Sequence, residues 1–293
     1  MKHLKLYLPI AAAALLLAGV SGCGGGAGDV PTITVKPKET EAAPSGDGPS
    51  TDDSPSDNTT PPTTKDGHGT WKGKVVLTGT LPSLPLPALV AKGDKSARDP
   101  AVCGKQAAIP DESLLVQNRG LANVFIYLKK APKNGIDDGP IEQLLLFDQK
   151  ACTFKPHAMV VRTGQTITVR NSDPVPHNVK TKPVVGDPFE ATLNEGQTGE
   201  LIYNRSTPIP ASAECNFHTW MKAYQLPLDH PYGVVSGADG SFTIPNLPVG
   251  THRFVIWHER SPGRPLNSRF SVKISSDGQV FEKDISIDVA KLK

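Results

Sequence analysis

Cys215-Asn-Phe-His218-Thr-Trp-Met221 places a thiol, an imidazole and a thioether within seven residues. A copper ion that alternates between two oxidation states is commonly bound by a thiolate and two imidazoles in a near-trigonal set, with a thioether further away on the axis. This stretch supplies three of the four groups. His177, in the loop Asp173-Pro-Val-Pro-His177-Asn178 and 38 residues before Cys215, offers the fourth. The sequence therefore predicts copper as the cofactor, held by His177, Cys215, His218 and Met221.

Two β-rich runs lead into the His177 loop. They extend over residues 154–171 and are separated by a turn at Gly164. Together with the ligand stretch, this part of the chain resembles the cupredoxins across roughly residues 150 to 225. The residues that carry the resemblance are Phe154-Lys-Pro156, Gly164-Gln165, Asn171-Ser-Asp173, His177-Asn178 and Cys215 to Met221.

The cupredoxin resemblance implies a Greek-key β-sandwich that holds copper between a histidine at one strand end and a Cys/His/Met loop. Many members of that family carry electrons between redox partners. Met221 follows His218 by three residues. This spacing is similar to that in the short ligand loop of amicyanins, whereas plastocyanins have a longer loop. The resemblance also implies that Asn178 braces the ligand loop by hydrogen bonds without binding the metal. We expect His218 to be the ligand nearest the surface.

Simpler explanations remain open for the same residues. A free cysteine in an apolar loop is more often a small buried hydrophobe than a ligand. An ordinary turn asparagine would explain Asn178 equally. Trp220 is bulky for a ligand loop of this kind, and the spacing alone does not put the Met221 thioether within axial reach of a metal.

The first 23 residues have the pattern of an export signal, with Lys2 and Lys5 before an apolar core that is too short to span a bilayer comfortably. Val20-Ser-Gly-Cys23 resembles the bacterial lipobox, which implies lipidation of Cys23 and membrane attachment through its acyl chains. The alternative is a soluble secreted protein with an incidental cysteine. Gly24 stands where a retention aspartate would keep a lipoprotein in the inner membrane. We therefore expect a lipid-anchored, periplasm-facing protein of the cell envelope, which in a Gram-negative cell is sorted to the outer membrane and not retained in the inner one.

Residues 24–68 are rich in Gly, Pro, Ser, Thr and Asp and contain almost no large apolar side chains. Such a composition cannot bury enough apolar surface to offset the entropy of ordering the chain. We expect a disordered tether here. The whole chain has 31 Lys and Arg residues against 29 Asp and Glu residues, and no basic run suggests a nucleic-acid partner.

The remainder of the chain consists of short β-branched or apolar runs separated by Pro, Gly, Asn and Asp, which predicts an all-β protein built from sandwiches. Segments on both sides of the cupredoxin-like stretch resemble the carboxypeptidase regulatory-like, or prealbumin-like, β-sandwich. They are Gly73-Lys-Val75, Ala122 to Leu128, Ser236 to Ile244 and Pro248 to Phe254. We therefore expect a discontinuous regulatory-like sandwich of residues 69–145 and 229–293, with a cupredoxin-like domain of residues 146–228 between its two parts.

The four cysteines can be assigned to three roles. If Cys23 takes lipid and Cys215 takes metal, Cys103 and Cys152 remain as a pair in an oxidising, exported setting. A disulfide between them would tie the Pro-rich segment 81–110 to the strand just before the copper site. The alternative is two reduced, buried thiols.

Three further histidines lie outside the predicted ligand set. His230 and His258, the latter next to Glu259, offer the ligands of a possible second metal site. Such residues more often form hydrogen bonds at a domain junction. His157, in a predicted strand, is expected to be structural.

These patterns favour a membrane-tethered mononuclear copper protein that transfers electrons, with another exported redox protein as its partner. The alternatives are a non-redox binding or scaffold lipoprotein of the cell envelope, and a copper delivery or storage protein, which requires a labile ligand set. The sequence contains no G-x-S-x-G, no H-E-x-x-H and no acid pair with a supporting context, so we do not expect an enzyme.

Overall fold

The computed structural model describes residues 67–136, 144–261 and 263–293. Cys23, the export signal and residues 24–66 of the tether lie outside the described residues. Nineteen strands and two short 3-10 turns make up the regular structure of this part of the chain, which confirms the all-β class. No helix among the described residues is long and apolar enough to cross a membrane.

Nine consecutive strands from the middle of the chain form one sandwich. They are β5 (Leu145–Lys150), β6 (Thr153–Lys155), β7 (Ala158–Arg162), β8 (Thr166–Asn171), β9 (His177–Lys182), β10 (Glu190–Leu193), β11 (Thr198–Ile202), β12 (Ala211–Glu214) and β13 (Lys222–Leu228). One sheet has the order β10-β9-β12-β13-β7 and the other has the order β11-β8-β5-β6. In β8, Ile167, Val169 and Asn171 alternate with half-buried residues. This period of two directs one face of the strand into the core.

The flanking parts of the chain form a second sandwich. Its strands are β1 (His68–Thr78), β2 (Val116–Gln117), β3 (Gly120–Leu121), β4 (Phe125–Leu128), β14 (Gly233–Val235), β15 (Ser241–Pro248), β16 (Gly250–Trp257), β17 (Asn267–Ile274), β18 (Val280–Glu282) and β19 (Ile285–Asp288). The long strand β1 pairs with β15, β3, β18 and β19, and the facing sheet has the order β14-β4-β16-β17. Trp71 is fully buried between these sheets and contacts the rings of Phe242, Phe254 and Phe270.

A shared apolar layer joins the two sandwiches. Strand β4 is buried on both faces, so that Ile126 faces the core of its own sandwich while Phe125 and Tyr127 face the other sandwich. There they pack with Leu226 and Leu228 of β13. The four sheets therefore lie in successive layers with three apolar cores between them, and the described residues belong to one compact unit.

The segment of residues 89–110 crosses from one sandwich to the other. It contains no strand of its own, and an isolated β-bridge between Val90 and Ile109 closes its two ends. Both of these residues and Cys103 belong to the apolar core of the β5–β13 sandwich, although β2 to β4, which follow them in the chain, belong to the other sandwich. We call this segment the cover. The predicted disulfide is confirmed, because Cys103 is bonded to Cys152 and fixes the cover to the turn between β5 and β6.

Candidate metal centre

His177 is presented by a loop that is organised by side-chain hydrogen bonds. The Asn171 amide group, at the end of β8, donates to the carbonyl oxygens of Val175 and Leu193 at 2.8 and 2.9 Å. The amide oxygen of Asn171 accepts the backbone N–H of Asp173 at 2.9 Å. These bonds fix the turn that begins β9 at His177, whose side chain has no exposed surface.

The predicted ligand loop joins the end of β12 to the start of β13. The backbone N–H of Met221 donates to the carbonyl oxygen of His218 at 2.8 Å, and the N–H of Cys215 donates to the carbonyl oxygen of Met221 at 3.3 Å. This tight turn brings the Cys215 sulfur within 3.8 Å of His218 Nδ1. Met221 is itself buried in the apolar core beneath the loop.

Three predicted ligands converge on one point. Nδ1 of His177 lies 3.0 Å from Nδ1 of His218, and these two nitrogens and the Cys215 sulfur all lie within 4.8 Å of one another. A trigonal ion with metal–nitrogen and metal–sulfur distances of about 2.0 and 2.3 Å separates its donors by about 3.5 to 3.7 Å. The donor set of one thiolate and two imidazoles therefore suits copper in type. The 3.8 Å between the sulfur and Nδ1 of His218 matches this spacing, whereas the two nitrogens, 3.0 Å apart, would have to separate slightly on binding.

A second group of potential ligands overlaps the first. Cys152, Asp173 and His177 also lie within 4.8 Å of one another. The sulfur of Cys152 is bonded to Cys103, so it is not available as a thiolate. The site that can accept a metal in the oxidised protein is therefore the group formed by His177, Cys215 and His218.

The outer nitrogen of each imidazole is held by a carboxylate. Nε2 of His177 lies 2.9 Å from Oδ2 of Asp173, and Nε2 of His218 lies 2.9 Å from Oδ2 of Asp99. Neither ring has exposed area, so His218 does not itself reach the surface, and the part-exposed Asp99 covers its outer edge. That His218 is the ligand nearest the surface stays a prediction. Asp99 is 119 residues from His218, so no local sequence pattern could have identified it.

The environment of Cys215 favours its thiolate. Burial opposes the charge, but hydrogen bonds from His177, His218 and the backbone N–H of Asn178 outweigh it and lower the pKa of Cys215 to about 5. The Asn178 N–H lies 3.4 Å from the sulfur. The Asn178 side chain joins the ligand loop to β10, because it accepts the N–H of Asn216 at 3.4 Å and donates to the carbonyl oxygen of Ala191 at 3.4 Å.

The remaining histidines do not enter this centre. His230 and His258 are both buried, and their Nδ1 atoms accept the backbone N–H of Tyr232 and Arg260 at 3.3 Å in each case. Neither belongs to a group of three metal-binding side chains in the part of the chain that the structure describes. The structure therefore does not form the possible second site.

His157 lies at the junction of the two sandwiches, just before β7. Its Nε2 contacts a carboxylate oxygen of Glu259, and its Nδ1 lies 3.6 Å from Glu112. Burial opposes protonation, but the bond to Glu259 and the charges of Glu259, Glu112 and Asp111 outweigh it and raise the pKa of His157. Sequence analysis missed this cluster because Glu259 is 102 residues away.

No family model and no curated protein matches the chain. Among solved structures, a purple cupredoxin from Nitrosopumilus maritimus is 23% identical, covering 29% of this chain and 99% of that chain with a TM-score of 0.25. Amicyanin from Paracoccus versutus is 18% identical, covering 31% and 86% of the two chains with a TM-score of 0.27. A copper-containing nitrite reductase from Thermus scotoductus is 17% identical, covering 32% of this chain with a TM-score of 0.27. The match spans only 23% of the reductase.

Proposed function

We propose that this protein transfers electrons through one copper ion that His177, Cys215 and His218 would hold, with the Met221 thioether as a fourth, weaker group. The observation that carries the proposal is the convergence of one thiolate sulfur and two imidazole nitrogens in a buried site. Copper held by this donor set supplies a one-electron redox couple. In the same proposal, residues 146–228 form a cupredoxin-like domain and the flanking strands form a regulatory-like sandwich.

The surroundings of the donor atoms support a site that keeps its geometry. Asp173 and Asp99 each accept a hydrogen bond from an imidazole and so restrict the rotation of both rings. The low pKa of Cys215 keeps the sulfur as a thiolate at neutral pH. A fixed set of ligands needs little rearrangement when an electron is gained or lost.

The two alternative functions are less well supported. Copper delivery requires ligands that release the ion easily, but the donors here are buried and their rings are held by carboxylates. A scaffold protein has no need for this cluster, because two imidazoles, a thiol and a carboxylate are costly to bury unless they have a use. An enzyme would also require an open coordination position, and the burial of all three donors opposes this.

The location and partner form part of the proposal. We infer that Cys23 is lipidated after export and anchors the protein to the cell envelope, facing the periplasm. The Cys103–Cys152 disulfide supports an exported location, because such bonds persist in oxidising compartments. The electron partner is then another exported redox protein, and no nucleic acid is involved.

The proposal is tested by the visible and EPR spectra of the copper-loaded protein. We expect an intense charge-transfer band from thiolate to copper that is lost in Cys215→Ser. Circular dichroism verifies that the variant is folded. A folded wild type that stays colourless with copper would contradict the proposal, and zinc binding without colour would support the scaffold alternative.

A further inference from the structure

Asp99 is the one residue of the cover that reaches a proposed metal ligand through a side-chain hydrogen bond, among those that the structure describes. Its carboxylate lies between the buried His218 ring and the surface, where 34% of the Asp99 side chain is exposed. On the outer side it lies 3.6 Å from the guanidinium Nε of Arg98. The position of Asp99 therefore makes the cover part of the outer wall of the site at His218.

The backbone of Asp99 is held in an unusual conformation. Its φ angle of +52° lies in the left-handed region, which residues other than glycine adopt infrequently. Two hydrogen bonds keep it there, because the carbonyl oxygen of Asp99 accepts the N–H groups of Val102 and Cys103, each at 2.9 Å. Strain of this kind persists where the surrounding structure enforces it, and it occurs often at functional sites.

The disulfide links the two aspartates whose carboxylates contact His218 and His177. Cys103 donates its N–H to the backbone of Asp99, while Cys152 donates its N–H to the Asp173 carboxylate at 2.7 Å. Asp173 in turn holds His177. Each half of the Cys103–Cys152 bond thus supports the aspartate that orients one imidazole.

We propose that Asp99 is a positioning residue for His218 and that the cover closes the metal site. By accepting a hydrogen bond from Nε2–H of His218, Asp99 fixes the ring with Nδ1 directed towards Cys215, where a metal would bind. The bridge between Val90 and Ile109 and the disulfide hold the cover in place. The part of this inference that concerns copper retention rests on the proposed function, whereas the part that concerns the proton on His218 does not.

Three variants of the full chain test the copper part. Asp99→Gly removes the carboxylate and tolerates the left-handed backbone, and Asp99→Asn keeps an oxygen acceptor in a residue that also tolerates it. Asp94→Ala is the matched control, because Asp94 lies in the same segment but its carboxylate bonds to Ser96 and Ala97 and not to a proposed ligand. We expect Asp99→Gly to weaken copper binding about 10- to 100-fold in competition with a chelator. Asp99→Asn should lose less, and Asp94→Ala should match the wild type.

A second measurement uses the metal-free protein and therefore does not depend on copper. Long-range proton–nitrogen spectra of 15N-labelled protein report which imidazole nitrogen of His218 carries the proton. We expect a protonated Nε2 with a sharp signal in the wild type and in Asp94→Ala, and exchange broadening of that signal in Asp99→Gly. An unchanged His218 signal in a folded Asp99→Gly variant would overturn the positioning role.

The two measurements separate the inference from the function on which it rests. A wild type that binds no copper, but whose His218 signal responds to Asp99→Gly, contradicts the proposed function and supports the role of Asp99. If the copper-loaded wild type is coloured and Asp99→Gly binds copper as tightly as Asp94→Ala does, the proposed function is supported and the closing role of the cover is overturned.

Discussion

The indole N–H of Trp220 donates a hydrogen bond to the carbonyl oxygen of Cys152 at 3.1 Å. The same ring lies against His218, with ring centroids 5.2 Å apart. A bulky residue in the ligand loop is therefore accommodated by packing over the turn that carries the disulfide. The ligand loop and the disulfide turn are joined directly by this bond, in addition to the link through Asp173 and His177.

The first prediction concerns the disulfide. Replacement of both Cys103 and Cys152 by serine should lower the free energy of unfolding by about 4 kcal/mol, because the bond closes a loop with a sequence separation of 49 residues. The copper colour should remain, since neither cysteine is a proposed ligand. Urea unfolding of the metal-free protein measures the first effect, and the visible spectrum of the copper-loaded protein measures the second.

The same variant has an informative failure. Loss of colour while circular dichroism still shows a folded protein would mean either that Cys152 contributes to the metal site or that the cover has loosened. Cys152 lies close enough to Asp173 and His177 for such a role once it is no longer bonded to Cys103. The Cys103→Ser single variant, which leaves the Cys152 thiol in place, distinguishes this outcome from a loosened cover.

The local chemistry of the site could be predicted from the sequence, whereas its surroundings could not. Cys215 and His218 are three residues apart on one tight turn, so their proximity follows from spacing alone. His177 follows a β-rich run and a proline-containing turn, which predicted a strand end. Asp99 carries no comparable signal, because its contact with His218 depends on the path of a cover that has no strand periodicity.

The boundary between the two sandwiches shows the same limit of sequence analysis. The resemblance carried by Gly73-Lys-Val75 and Ser236 to Ile244 predicts strands of the flanking sandwich, and the strands that contain them, β1 and β15, pair in the structure. The cover lies in the part of the chain that was expected to belong to that sandwich, yet Val90 and Ile109 pack into the β5–β13 core. The disulfide pairing could be predicted because the other two cysteines had been assigned to lipid and metal. That assignment carries no information on where the residues around Cys103 pack.

The second prediction concerns Cys23, which lies outside the described residues. Wild-type protein should fractionate with membranes and Cys23→Ala should not, because the acyl chains would be the sole anchor. Cell fractionation followed by detergent extraction measures this. Ser21→Ala is a suitable control, since it keeps a small residue before the cysteine. Equal membrane association of wild type and Cys23→Ala would refute lipid anchoring.

The third prediction concerns the pH dependence of the junction between the sandwiches. The pKa of His157 is raised above its usual value of 6.5 because Glu259, Glu112 and Asp111 outweigh the effect of burial. Protonated His157 also lowers the pKa of the buried His258, although burial is the main cause of that decrease. A group whose pKa is higher in the folded state binds its proton more tightly there, so it stabilises the folded state at low pH.

The sign and the pH range of the effect follow from this shift. The stabilisation from His157 should be fully present below about pH 6.5 and should decrease as the pH rises through the raised pKa of the folded state. Urea unfolding of metal-free wild type and His157→Gln across pH 5.5 to 9 measures the difference in free energy of unfolding. His68→Gln serves as the control, because His68 begins β1 and is not among the groups around His157. The difference between wild type and His157→Gln should be largest at low pH. If it were constant across this range, the pKa of His157 would be the same in the folded and unfolded states, and its contacts with Glu259 and Glu112 would add no net ionic stabilisation.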